Sequence, residues 1–110
     1  MSDDVLKLMN KPGKRFEEFV EYFNSINKDK KQYLSYYFMT GHPGDDLEET
    51  KKLKEKMKSL DADSFQLFTP TPMTISTCMY YTGLNPYTLK PVKVIYDYNT
   101  KKKMKDILLK

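Results

Sequence analysis

The chain has 110 residues, 39% hydrophobic and 31% charged, which suits one globular domain or a piece of a larger one and argues against disorder. Its net charge is +4 with a pI of about 9.0, but eighteen of the nineteen basic residues are lysine, so solvated lysine faces explain the excess better than an arginine-built nucleic-acid site. The single cysteine, Cys78, excludes an internal disulfide and an all-protein cysteine cage for zinc or iron–sulfur within one chain.

The N-terminus "MSDDVLKLMNKPG" has acids where a signal peptide carries a basic region, and no apolar run approaches the roughly 20 residues that cross a bilayer. A cytoplasmic protein with no membrane partner is expected. Val5, Leu8 and Met9 outline one face of a short first helix that Lys11-Pro12-Gly13 ends. In "KRFEEFVEYFNSIN", Phe16, Phe19, Val20, Phe23 and Ile26 follow helical spacing, which predicts a helix burying an aromatic face.

After a charged turn, "YLSYYFMT" (Tyr33 to Thr40) is nearly unbroken in apolarity and closed by Gly41. This texture predicts a strand buried on both faces, as in a parallel sheet. "DDLEETKKLKEKMKSL" then reads as a helix with Leu47, Leu53, Met57 and Leu60 inward. Asp46 with Glu49, or Asp45 with Glu48, fits capping-box spacing. Ser64–Thr69 gives a second strand, stopped by Pro70 and Pro72. Two strands joined by such a helix should be parallel neighbours.

Beyond the prolines, Ile75, Cys78 and Met79 share a helical phase that places Cys78 in the core, with Thr71 or Thr74 as cap and Gly83 as terminator. The remainder, residues 84–110, differs in texture. It offers a short strand at Val92–Tyr96 and a lysine-rich helix carrying Met104, Ile107 and Leu108, and no fold is assigned to it.

The chemistry concentrates in the two loops that leave the strands. "TGHPGDD" invites a metal on His42, Asp45 and Asp46, but no second histidine exists and helix capping accounts for both aspartates. A His42–Cys78 nucleophilic pair is topologically allowed, yet nothing near Cys78 activates it. In parallel α/β units ligands bind at the carboxyl ends of strands. The acids at the helix start disfavour a phosphate there and fit a neutral or cationic ligand better, such as a nucleoside moiety. An ordinary connection holding no ligand is the competing reading.

"VLKLMNKPG", "KKQYLSYYFMTGHPGDD" and "FQLFTPTPMTISTCMYYTGLNPYT" resemble, in order and spacing, the back half of the YgiQ-type radical SAM iron–sulfur proteins, up to about Tyr87. The resemblance implies an α/β fold: residues 1–83 would be β/α units forming the last part of a radical SAM partial (β/α) barrel, and 84–110 the start of a partly disordered C-terminal extension. In that family three cysteine thiolates hold a [4Fe–4S] cluster whose open iron chelates S-adenosylmethionine, and one electron cleaves the cofactor to a 5′-deoxyadenosyl radical. With Cys78 alone this chain cannot supply the cluster, so it looks like a dissected domain or truncated gene product, not catalytic alone and with no cofactor expected on it.

The partner implied is the missing N-terminal radical SAM core, with an unidentified substrate and self-association of an exposed barrel edge. By resemblance Tyr33–Thr40 is the fifth barrel strand, whose family pattern Gly-x-Ile-x-Gly packs the Ile on adenine. Met39 takes the Ile place and Gly41 the second Gly, while Tyr37 departs from the first. Met39, Thr40, Gly41 and His42, with Thr69, Pro70 and Thr71 after the sixth strand, are therefore the candidate cofactor-binding residues. From another class, a basic module could hold single-stranded RNA through Tyr80, Tyr81, Tyr87, Tyr96 and Tyr98 beside Lys90, Lys93 and Lys101–Lys103. Packing is the favoured reading of those tyrosines, so nucleic acid is not expected as a partner.

Overall fold

The computed structural model describes residues 2–110 and is mixed α/β, with five helices and a two-stranded parallel sheet. The elements are α1 (Asp3–Leu8), α2 (Lys14–Ile26), β1 (Tyr37–Thr40), α3 (Leu47–Ser59), β2 (Ser64–Leu67), α4 (Ile75–Thr82) and α5 (Tyr98–Leu109). Sequence chemistry accounts for most helix ends. Asp46 caps α3 by accepting from the Glu48 and Glu49 amides, so the structure selects Asp46 over Asp45. Thr74 caps α4 through the Thr77 amide, and Gly83 ends it with φ 66°, a backbone that glycine adopts without a Cβ clash.

β1 and β2 pair in parallel with Phe38 opposite Phe65 and Met39 opposite Gln66. Alternation puts Phe38 and Phe65 on one face, where they pack against Leu53 and Met57 of α3 and Leu108 of α5. Tyr37, Met39 and Gln66 occupy the other face. That face lines an open cleft of about 340 Å³ with Leu6 of α1, Met9 and Phe16 of α2.

Several expectations need correction. The first strand spans Tyr37–Thr40, not Tyr33–Thr40, and is not buried on both faces: Tyr33 is 92% exposed and Tyr37 68%. With only β2 to pair with, residues 33–36 have no strand to complete a ladder. α2 forms where its periodicity predicts, but none of its residues is buried, and Phe19 and Ile26 are each more than half exposed. Phe16 ties it inward, 6.0 Å from Tyr36 and 6.1 Å from Phe38, and Glu17 pairs with Lys56 of α3.

Cys78 is exposed rather than in the core; Met79 is the α4 residue fully shielded from solvent. No strand forms at 92–96; the isolated bridge in this region, Leu84 to Pro91, lies just before it. The lysine-rich helix expected near the end of the chain forms as α5, whose Met104 and Leu108 are buried. Its apolar stripe meets the inner face of α3 and gains burial that an isolated helix of 12 residues lacks. No described helix is long and apolar enough to cross a membrane.

Candidate functional site

The loop after β1 is held by a buried carboxylate. Asp45 Oδ2 accepts from the Gly41 amide at 2.7 Å and the Thr40 hydroxyl at 3.2 Å, and Oδ1 accepts from the Asp46 amide at 2.9 Å. Thr40 Oγ1 also lies 2.9 Å from Thr50 Oγ1, which donates to the Asp46 carbonyl. Asp45 is therefore not a helix cap but the anchor of the turn. Gly41 and Gly44 run at φ 78° and 90°, and a Cβ on either would meet a leucine side chain, Leu67 or Leu8. The Gly44 amide donates to the Lys93 carbonyl at 2.7 Å, so residues from the C-terminal region close the turn.

His42 is buried, and both its ring nitrogens have partners. Nδ1 lies 2.9 Å from the Pro43 carbonyl and Nε2 2.7 Å from Ser76 Oγ at the start of α4. A carbonyl can only accept, so Nδ1 carries the proton and Nε2 accepts from the serine. The ring meets Phe68 edge-on at 5.2 Å. Burial holds the imidazole pKa below its ordinary value, favouring the neutral ring. Burial also pushes the Asp45 carboxyl up, against the pull of its donors. Asp46, half-buried and accepting from the Glu49 amide, moves down instead.

The loop after β2 differs. Thr69 and Thr71 are exposed and Pro70 is half-buried. The Thr71 amide donates to Thr77 Oγ1 at 2.9 Å, and that hydroxyl returns a bond to the Thr71 carbonyl at 2.6 Å. Met73, fully exposed, sits at φ 70°, a left-handed backbone uncommon outside glycine. Both loops leave the carboxyl end of the same parallel pair, and the His42–Ser76 bond joins the first loop to the helix that follows the second.

The seven candidate residues thus fall into two groups. Met39, Thr69, Pro70 and Thr71 keep accessible surface, whereas Thr40, Gly41 and His42 are buried inside the turn. Residue pattern alone missed Ser76, Met73 and the Lys93 carbonyl, because none belongs to a local motif; the threonine-rich start of α4 was the only signal near Ser76. His42 spends both nitrogens on Pro43 and Ser76, leaving neither for Cys78. Among the described residues no group of three His, Cys, Asp or Glu side chains converges on a metal position.

Residues 63–110 match the family model described as "Domain of unknown function (DUF3362)". The chain is 45% identical to a UPF0313 protein of Methanosarcina mazei, covering 91% of this chain and 17% of the relative. It is 44% identical to UPF0313 protein GSU2873 of Geobacter sulfurreducens (96% of this chain, 18% of the relative) and 48% identical to a UPF0313 protein of Porphyromonas gingivalis (83% and 15%). No solved structure matches the chain. The sequence thus corresponds to a segment of much longer proteins, less than a fifth of their length. It belongs to the UPF0313 family, the YgiQ-type radical SAM family.

Proposed function

We propose that this chain closes a radical SAM partial barrel in a longer parent protein, and that the carboxyl ends of β1 and β2 border the adenosine of S-adenosylmethionine there. The observation that carries the reading is the parallel β1–β2 pair with both exit loops at one end and Met39 lining an open cleft beside it. A two-stranded sheet with two free edges has the form of a piece of a larger sheet.

The donor set does not fit a [4Fe–4S] cluster, since three thiolates are needed and one cysteine is present. The cluster therefore belongs to the parent's N-terminal core, and this chain is not catalytic alone. For the cofactor's nucleoside the residues do fit. The Met39 thioether is a soft surface for a purine ring, and the exposed Thr69–Thr71 backbone offers polar groups beside it. Thr40 and His42 act at one remove, holding the turn through Asp45 and Ser76.

In the full-length, cluster-loaded parent, Met39→Asp should weaken S-adenosylmethionine binding about tenfold, the effect of ~1.4 kcal/mol, with iron content unchanged. Calorimetric titration reads this directly. Unaltered affinity in a correctly folded variant would overturn the assignment.

A further inference from the structure

If packing explained the tyrosines of α4 and the C-terminal region, they would be buried. Tyr80 is half-buried, but Tyr81 and Tyr98 are each 75% exposed, Tyr87 64% and Tyr96 54%. Tyr81 and Tyr96 are also ordered about Tyr80. Tyr80 holds Tyr81 edge-on at 5.5 Å and Tyr96 at 5.0 Å, and the Tyr96 hydroxyl donates to the Tyr80 carbonyl. Lys101 Nζ bonds the Tyr80 hydroxyl at 2.8 Å and sits 4.9 Å from the ring centre. Two exposed rings are thus braced against a central one beside a cation.

Charge follows the same surface. Residues 84–110 contain seven lysines and two acids, whereas residues 1–83 have one more acid than base. The whole positive excess therefore lies in this quarter of the chain. On α5, Tyr98, Lys101, Lys102 and Lys105 fall along one side by helical spacing, next to the buried Met104 and Leu108. None of the three side-chain ion pairs among the described residues uses a lysine of α5. Of the nearby acids, Asp97 is engaged as the α5 cap and Asp106 is half-buried.

We propose that this face, Tyr80, Tyr81, Tyr96 and Tyr98 with the lysines of α5, is a binding surface for single-stranded nucleic acid. Rings fixed with an open face give unpaired bases a stacking platform, and the lysine stripe tracks the backbone phosphates. A duplex hides its base faces from such rings, and an acidic protein would use the lysines without the rings. Tyr80 packs on Phe68 of the loop after β2 at 5.9 Å, but none of the rings and lysines of this surface is a candidate cofactor-binding residue, so it stands or falls independently of the cofactor assignment.

The test is fluorescence anisotropy of this chain with labelled twelve-nucleotide RNA and DNA single strands, against duplexes of the same sequence. Single strands should bind more tightly, and log affinity should fall with log salt at a slope of about −2 for three lysine contacts. Tyr81→Ala should weaken binding about tenfold at unchanged slope, with Tyr81→Trp restoring it. Lys102→Glu with Lys105→Glu should flatten the slope, while Lys28→Glu with Lys30→Glu in the turn after α2 should not. The proposal is overturned by equal affinity for duplex, by indifference to Tyr81→Ala, or by polyglutamate displacing the strand as well as unlabelled RNA does.

Discussion

At the scale of single residues, the turn after β1 is an electrostatic assembly sealed from water. The fold favours the neutral His42 ring, because burial lowers its pKa. A depressed histidine contributes stability that is complete above its unfolded value, about 6.5, and is lost as pH falls through the lower folded value. Asp45 works in the opposite sense: its raised pKa makes its contribution greatest at low pH and diminishing as pH rises. Replacing His42 separates the two. We expect His42→Asn to be less stable at pH 7.5 by about 1–3 kcal/mol through lost hydrogen bonding and packing. Between pH 6.5 and 5.5 it should lose less further stability than the parent chain. Urea unfolding at those pH values measures both, and parallel pH profiles would show that His42 does not titrate on unfolding.

At the scale of elements, α5 carries stability that its own sequence could not secure. A lysine-rich segment of 12 residues is marginal as an isolated helix; docking Met104 and Leu108 on α3 and β2 is what keeps it formed. Lys54 Nζ adds a bond of 2.6 Å to the Leu108 carbonyl near the α5 C-terminus. Met104→Ala should cost about 2–5 kcal/mol, and the protection of α5 amides against hydrogen exchange should fall more than that of α3. If α5 kept its protection, the helix would be held by contacts other than its apolar stripe. The helical periods of α2 and α3 were legible because each is long and strongly patterned. The helical stripe of α5 was legible too, but its docking was not, because its partner residues Leu53 and Met57 lie some fifty positions earlier.

For the whole molecule, the shape is extended for its length. The radius of gyration is 15.4 Å, against about 13 Å for a compact chain of this size, and the longest dimension is 49 Å. The excess goes with the open cleft beside the sheet and the aromatic side of α2, where Phe19, Tyr22 and Ile26 each expose more than half their surface. Covering such surface is favourable at about 25 cal/mol per Å². The isolated chain is therefore expected to self-associate as concentration rises, and Phe19→Glu with Tyr37→Glu should return it to a monomer. Sedimentation velocity across a hundredfold concentration range reads this, and a strictly monomeric chain would contradict it.

The amino-acid sequence by itself determined the helices α2 and α3, the stop at Gly83 and the parallel pairing of two short strands, and it narrowed the caps of α3 and α4 to two choices each. Those depend on spacing and side-chain chemistry within a few residues. It also carried the family, through motifs that span most of the chain. Tertiary structure alone decided the rest. Asp45 became a buried anchor rather than a cap because Thr40 and the Gly41 amide converge on it. His42 gained a partner thirty-four residues away in Ser76. Residues Tyr33–Tyr36, apolar enough for a strand, formed none because no neighbouring chain completes their ladder. Cys78 and the tyrosines beyond it stayed at the surface, since hydrophobic character says that a residue can be buried, and only the presence of something to pack against decides that it is.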